Sequence, residues 1–444
     1  MLLSERETRG LCEQVLNRVK VDDATVTARS EAGGNQRFAS GSFTTNGQME
    51  NVEVTLTVWK EGRRGSGCTT EITKDALDSI ARNAERIARV SPLDQEYVPT
   101  LGPQKYRPVD AFAASASKPS FSRRAKSVHR ILQLGEEAGV VLAGLLRTSA
   151  SARGTLTLQG NFDYERSSSG SLGLTARLPD GSSSGYFLRS SVDPERLDAE
   201  RIARAAIQRA RDGRNAQVIS PGHYPVILEA QAVYDVLSFF PAAFDARTAD
   251  EGRSAMAVPG GQTRLGQQVF DPRINFYSNP WHPEVPGSQS TLEGLPAERL
   301  SLVRGGIVEN LASSRYWAKE KGRTPTPGPV NYILESTSAP QSLEEMISTS
   351  DRALLVTRLW YIRMVDPRSL VVTGLTRDGV WLVENGKIKH PVRNFRFNQS
   401  LMKMMADGNV DEIGKPERVG PGPAAFYPAL KLRRFHFTSA SDAV

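Results

Sequence analysis

The fold is decided most clearly by residues 52–70, which read VEVTLTVWKEGRRGSGCTT. Apolar and polar residues alternate over Val52–Val58, and this period of two is typical of a half-buried strand. A turn follows at Glu61-Gly62, and Gly65–Thr70 supplies a returning strand. We therefore predict a β-hairpin at this position.

Helical patterns lie on both sides of the hairpin. Ser4–Glu7 has the pattern of a capping box, in which hydroxyl and carboxylate satisfy reciprocal backbone donors. Apolar residues recur on one helical face over Asp75–Val90, and another helix is predicted near Ser127–Ala138. Asp193-Pro194 predicts a further helix, with the aspartate as N-cap and the proline in the first position. The other strands predicted in this half are Ala24–Ala28, Gly34–Ala39, Val140–Thr148, Thr155–Tyr164 and Ser171–Ala176.

The chain changes character at Ser220-Pro221-Gly222, which precedes the apolar run Tyr224–Leu228. Strand patterns dominate from there onward, with predicted helices only at Val233–Phe240 and Gln341–Ser350. The predicted strands are Leu300–Val303, Ile307–Glu309, Asn331–Leu334, Ala353–Val365, Leu370–Leu375, Gly379–Val383 and Lys387–His390.

These patterns predict an α+β fold of two domains. A length of 444 residues itself favours two domains over one. We expect residues 1–220 to form a domain of helices and hairpins, with a surface connection near residues 99–124. Residues 221–444 are expected to form a β-rich domain.

Composition excludes several classes of protein. The two cysteines, Cys12 and Cys68, exclude a disulfide framework. No apolar run approaches the ~18 residues of a membrane span, and the N-terminus lacks the layout of a signal peptide. We therefore expect a soluble, cytoplasmic protein without a membrane partner. The net charge of +7 is small for 444 residues and does not by itself indicate any partner, and we expect no nucleic-acid partner.

Few residues carry recognisable chemistry by spacing alone. The five histidines are far apart in sequence, so the paired imidazoles of a helical zinc motif are absent. Glu229 and Asp235 permit an interpretation as paired carboxylates. The simpler interpretation is a helix N-terminal charge at Glu229 and an exposed polar residue at Asp235.

Short motifs along the whole chain, in their order and spacing, resemble the TldD/PmbA family, long described as modulators of DNA gyrase. In the first half they are Arg37–Ala39, Ala138–Val141, Thr148–Ser151, Tyr164–Ser167 and Thr175–Arg177. In the second half they are Pro221–Glu229, Phe244–Arg247, Glu251–Ser254, Glu293–Pro296, Val303–Asn310, Ser314–Lys319 and Val383–Ile388. The resemblance implies a two-domain TldD/PmbA-like fold.

The resemblance also implies what this chain lacks. TldD-like members of the family are zinc metallopeptidases with an H-E-x-x-x-H helix after the first strand of the C-terminal half, and with a cysteine near the C-terminus. The matching positions here hold Ser238, Phe239 and Ala243, and no cysteine follows Cys68. Phenylalanine and alanine cannot bind zinc. The chain thus resembles the PmbA branch, also called TldE, and we expect neither a metal site nor catalytic residues in it.

The leading hypothesis is a non-catalytic subunit that pairs with a TldD-like catalytic subunit. By resemblance, zinc is expected in that partner, and the hetero-oligomer acts on unfolded peptides held as an added β-strand. Arg358, Trp360, Tyr361 and Arg363 lie in one predicted strand with mixed aromatic and basic character. We interpret this strand as a peptide- or partner-binding surface.

Two other functions stay open. The first is a gyrase-associated or nucleic-acid-binding module, for which no concentrated basic stripe or binding-fold signature is visible. The second is a stand-alone hydrolase with a site assembled only in space.

Overall fold

The predicted hairpin at residues 52–70 is present, and it forms one edge of a larger antiparallel sheet. The computed structural model describes residues 2–117, 120–422 and 424–441. The first half contains α1 (Glu5–Leu16), β1 (Asp23–Ala39), β2 (Ser42–Lys60), β3 (Arg63–Thr69), α2 (Lys74–Val90), α3 (Phe121–Ala138), β4 (Val141–Thr157), β5 (Phe162–Arg177), β6 (Ser184–Ser191) and α4 (Ala199–Asp212).

The sheet of the first half has the strand order β3-β2-β1-β4-β5-β6, and its neighbouring strands are antiparallel. Alternate residues of its strands are buried beneath the helices, as expected of a sheet with one covered face. On β1 these residues include Ala24, Val26 and Ala28, which share a core cluster with residues of α1 and α2. A second cluster beneath α3 and α4 contains Phe38 and Leu172.

The two short strands predicted between residues 24 and 39 are wrong in one respect, because they are a single strand. β1 pairs with β4 without interruption from Thr25 to Phe38. Gly33, in the predicted gap, and Gly34, the first residue of the second predicted strand, lie within the ladder opposite Ser149 and Thr148. Glycine there reflects close packing and not a break in the strand.

The helix predicted to open at Asp193 also begins elsewhere. Asp193 caps only a short 3₁₀ turn, Pro194–Arg196, and Leu197 is extended. The helix α4 starts after Asp198, whose side chain accepts a hydrogen bond from the backbone N–H of Arg201. An aspartate is the N-cap of this helix, as predicted, but the residue is Asp198 and not Asp193.

The second half contains two larger sheets. Its elements are β7 (Gly222–Leu228), α5 (Ala230–Leu237), α6 (Ala246–Asp250), β8 (Ala257–Val258), β9 (Gln262–Thr263), β10 (Ile274–Ser278), β11 (Leu300–Arg304), β12 (Ile307–Val308), α7 (Arg315–Glu320), β13 (Ile333–Ser336), α8 (Leu343–Ser348), β14 (Arg352–Val356), β15 (Leu359–Asp366), β16 (Val371–Thr376), β17 (Val380–Glu384), β18 (Lys387–Pro391), β19 (Phe395–Ser400), α9 (Leu401–Met404), β20 (Val410–Ile413), β21 (Glu417–Val419), β22 (Ala425–Tyr427) and β23 (Leu430–Ala440).

The larger sheet has the order β15-β16-β19-β23-β7-β14-β17-β18, with β20 paired to β23. The other sheet has the order β12-β11-β10-β13-β22-β21. β7 lies inside the larger sheet, antiparallel to β23 and parallel to β14. The strand predicted at Ala353–Val365 is divided into β14 and β15. The α+β class and the β-rich second half are confirmed.

Polar contacts join the two halves. Ser184 of β6 donates to Asp378 at 2.7 Å, and Ser190 donates to the carbonyl of Gly420 at 2.8 Å. A division of the chain at residues 220 and 221 stays a prediction. In the described ranges, no helix has both the length and the apolar composition needed to cross a membrane.

Candidate functional site

The helix α5 directly follows the central strand β7, and the positions matched to the family motif lie just after its last residue, Leu237. Ala232, Val233 and Val236 bury its inner face in the main core of the second half. The helix ends at Leu237, where the hydroxyl of Ser238 donates to the carbonyl of Asp235 at 2.8 Å. A short 3₁₀ turn, Pro241–Phe244, follows.

The three positions matched to the zinc motif fall in different environments. Ser238 is exposed, Phe239 is half-buried against the core, and Ala243 is only 3% exposed within the core. Since the helix has already ended, these residues do not share one helical face. Only the serine hydroxyl among them has a polar atom, and it is a poor zinc ligand. The residues present therefore do not fit a zinc ion.

Within the described part of the chain, no group of three or more histidine, cysteine, aspartate or glutamate side chains is arranged to hold a metal ion. The expectation that this chain binds no zinc stays a prediction.

Asp235 in α5 occupies an unusual environment for a carboxylate. Its oxygens accept hydrogen bonds from the side-chain amide of Gln231 at 2.8 Å and from the backbone N–H of Leu359 at 3.1 Å. Burial raises the pKa of Asp235 to about 7, and the nearby Asp378 carboxylate adds to this effect. The interpretation of Asp235 as an exposed residue was therefore wrong. The bond to Leu359 also links α5 to the start of β15.

Glu229 and Asp235 are not a carboxylate pair. Glu229, at the N-terminus of α5, forms an ion pair with Arg209 of α4 in the first half. Its side chain makes no capping bond to the helix. Burial raises the pKa of Glu229, and Arg209 opposes the shift. Glu229 thus joins the halves, whereas Asp235 contacts β15.

We expect Asp235→Asn to remove a pH dependence from the stability of the chain. The folded state binds this proton more tightly than the unfolded state, whose aspartate pKa is near ~4. The contribution is therefore fully present below pH ~4 and is lost as the pH rises to about 7. Urea midpoints should nearly agree at about pH 3.5, whereas at pH 8 the variant should be more stable by up to about 4 kcal/mol.

The control for this measurement is Asp180→Asn, in an exposed turn where hydrogen bonds from Ser182 lower the pKa of the carboxyl. It should give no gain at pH 8. Parallel pH profiles for Asp235→Asn and the wild type would contradict the assignment.

Arg358 lies between β14 and β15 and is already engaged within the chain. Its Nη1 donates to Asp378 Oδ2 at 2.6 Å, and its guanidinium lies 3.7 Å from the ring centre of Tyr186 in β6. Asp378 also accepts the hydrogen bond from Ser184 of the same strand. Arg358 therefore connects the site region to the first half.

Trp360, Tyr361 and Arg363 lie on β15, the edge strand of the larger sheet. Trp360 and Tyr361 are 38% and 59% exposed, and Arg363 is also exposed. The Arg363 guanidinium lies 4.6 Å from the ring centre of Tyr361. Pairing with β16 slips between Trp360 and Arg363, and Tyr361 has a φ of +53°. The binding role assigned to these residues stays a prediction.

A cleft of about 520 Å³ lies between the two halves and was not predicted. Its floor is the polar face of the first sheet, with Thr25, Thr27 and Thr155, and one wall carries Trp59. The loop at residues 290–294 of the second half closes the other side. In the sequence, the cleft is indicated only by the polar residues at every second position of β1 and β4. These positions are on the face of the sheet that is expected to be exposed to solvent.

Residues 221–439 match the sequence model of the PmbA/TldA metallopeptidase C-terminal domain. This part of the chain is therefore metallopeptidase-like in sequence. The chain belongs to the TldD/PmbA family. No curated protein matches it in sequence.

Three solved structures share its fold. TldE from Thermococcus kodakarensis superimposes with a TM-score of 0.85 at 17% identity, covering 97% of this chain and 99% of its own. A candidate modulator of DNA gyrase from Bacteroides thetaiotaomicron gives 0.85 at 17% identity, with 99% and 100% covered. A candidate modulator of a DNA gyrase from Thermotoga maritima gives 0.82 at 18% identity, with 94% and 96% covered.

Proposed function

We propose that this chain is a subunit without its own zinc site in a TldD-type metallopeptidase assembly. The observation that carries the proposal is the environment of the three motif positions. Ser238 is exposed beyond the end of α5, while Ala243 is packed in the core. A catalytic zinc needs several nitrogen, oxygen or sulfur ligands around one point together with a nearby base. The zinc ligands and the base would come from a TldD-like partner.

Similarity in fold to a TldE supports the same proposal. The similarity to this TldE covers both halves of the chain over nearly their full length. This is expected of a subunit that contributes to the structure of the assembly and not to catalysis. In this proposal the substrate is an unfolded peptide, which pairs through its main chain and is therefore accepted with varied side chains. We place the assembly in the cytoplasm.

The exposed edge of β15 is the proposed contact for the partner or the peptide. An edge strand offers unpaired backbone groups, and aromatic residues with arginine are enriched at protein interfaces. Trp360, Tyr361 and Arg363 place two aromatic rings and an arginine on this edge strand, next to α5. Arg358 would act indirectly, because its bond to Asp378 holds the chain that enters β15.

Reconstitution with the TldD-like protein of the same genome tests the proposal. We expect this chain alone to leave unfolded peptides intact, and the mixture to cleave them in a chelator-sensitive reaction. Activity of the mixture above that of the partner alone measures the contribution of this chain. Chelator-sensitive cleavage by this chain alone would refute the proposal, as would a partner that is fully active and never binds it.

A matched pair of variants tests the β15 surface. Trp360→Ser with Tyr361→Asn should reduce capture of the partner, because it removes both exposed aromatic rings. Asparagine is chosen at residue 361 because it tolerates the positive φ there. Ile388→Ser is the control, because Ile388 is 50% exposed on β18 at the opposite edge of the same sheet. Equal capture by both variants would exclude the β15 contact without excluding the assembly.

A further inference from the structure

Arg124 is an exceptional buried cation in the first half, far in sequence from α5 and β15. It lies in the first turn of α3 and is only 3% exposed. Its Nη1 donates to the hydroxyl of Thr148 at 3.2 Å, whereas Nε and Nη2 have no partner among the described residues. Burial lowers the pKa of this guanidinium. A buried cation without a counter-charge is strongly unfavourable.

The sheet leaves room for this side chain at Gly34. A Cβ atom at residue 34 would lie 2.2 Å from Nη2 of Arg124, so the guanidinium rests directly on the β1 backbone. On the same strand, two positions further on, the buried Oε1 of Gln36 also lacks a partner in the described part of the chain. Because amide oxygen and nitrogen can exchange places, Gln36 is also able to present its NH₂ group.

A cavity of about 150 Å³ adjoins Arg124, between α3 and the start of α4. Its lining includes the polar residues Ser120, Ser127 and Thr148 and the apolar residues Leu146, Leu172 and Leu197. Arg123 and Glu195 also line the cavity, and they form an ion pair with each other. Their charges cancel, so the charge of Arg124 stays unbalanced.

We propose that this cavity binds a small oxyanion, either a phosphate-type ion or a short-chain carboxylate, with Arg124 as its charged partner. The volume corresponds to about five water molecules, which admits such an ion but not a whole nucleotide. An oxyanion in the cavity supplies the missing charge, and it becomes an acceptor for Nε and Nη2 when the guanidinium turns from the β1 backbone toward it. Buried water alone would satisfy the hydrogen bonds and leave the charge unbalanced.

Thermal unfolding of the full chain tests the site. Sodium phosphate and sodium butyrate are titrated separately against sodium chloride at equal ionic strength. We expect at least one of the two oxyanions to raise the Tm in a saturable manner, since a ligand that binds only the folded state stabilises it. The probe that acts distinguishes the phosphate source from the carboxylate source. Identical curves in all three salts would overturn the proposal.

Two variants locate the effect. Arg124→Gln should weaken binding at least about tenfold, because it removes a charge-assisted contact. Gly34→Ala should give a similar loss while keeping the charge, because its Cβ would displace the guanidinium. The control is Arg130→Gln, on the same helix, whose arginine pairs with Glu137 and Glu200 instead.

Wild-type affinity in Arg124→Gln would overturn the proposal. If that variant does not fold, calorimetric titration of Gly34→Ala decides, and an unchanged affinity there also overturns it.

Discussion

Replacing Asp378 by asparagine is expected to destabilise the chain by about 3–5 kcal/mol. Asp378 is only 2% exposed, and its two oxygens accept hydrogen bonds from Ser184 and from the guanidinium of Arg358. Its removal leaves Arg358, whose side chain is 19% exposed, without its close counter-charge. Another charged neighbour, Arg377, lies 4.0 Å from the same carboxylate, and as a cation it does not compensate.

Asparagine is the appropriate substitution because Asp378 has a φ of +57°. Asparagine tolerates this left-handed conformation, whereas alanine would add backbone strain to the loss of charge. Urea unfolding measures the effect. The double variant Asp378→Asn with Arg358→Gln should be less destabilised than the sum of the single variants, since no buried cation is then left alone. A loss below about 0.5 kcal/mol in Asp378→Asn would contradict the role of this pair.

The local patterns of the sequence predicted the elements that they specify directly. The alternation over Val52–Val58 predicted a strand of the first sheet, and Ser4 forms the capping box that its pattern indicates. The helix predicted over Asp75–Val90 is α2 with one residue added. These features depend on neighbours within about one turn or one hairpin, so a single sequence contains the required information.

Contacts between distant residues were not predictable in the same way. Asp235 is partly enclosed because β15 brings the Leu359 amide to it, and no local pattern indicates that approach. His223 and His436 are far apart in sequence, but β7 and β23 pair and bring them together. Their rings stack with their centres 4.3 Å apart. The strand β6 was missed because its sequence, SGYFLRSS, is rich in serine and has little apolar alternation.

The same contrast between local patterns and long-range contacts applies to the candidate site. Family resemblance led us to match Ser238, Phe239 and Ala243 to the zinc motif, and this matching stays a prediction. It gave no information on what those positions contact. That Arg358 bonds to Asp378 is seen only in the folded chain, where long-range strand pairing brings the two residues together.

Restoring the motif residues is expected to destabilise the chain without creating a zinc site. In the triple variant Ser238→His, Phe239→Glu, Ala243→His, the decisive position is Ala243, which is 3% exposed in the core cluster that also contains Phe240 and Phe244. The rings of these phenylalanines lie 5.1 Å apart. An imidazole at residue 243 needs space that this packing does not leave, at a cost of about 1–3 kcal/mol or more.

Phe239→Glu adds a second loss, because a half-buried aromatic ring packed on the core is replaced by a carboxylate. Ser238→His, at an exposed position, should be nearly neutral and serves as the matched control. Melting temperatures of the three single variants should therefore fall in the order of burial, with Ser238→His closest to the wild type.

Elemental analysis after dialysis completes the experiment. The triple variant should retain no stoichiometric zinc, because the two new imidazoles lie beyond the end of α5 and not on one helical face. They would also lack the distal thiolate and the hydrogen-bonding groups that orient metal-bound histidines. One tightly bound zinc per chain, together with chelator-sensitive peptide cleavage, would show that the segment after α5 can rearrange into a continuous metal-binding helix.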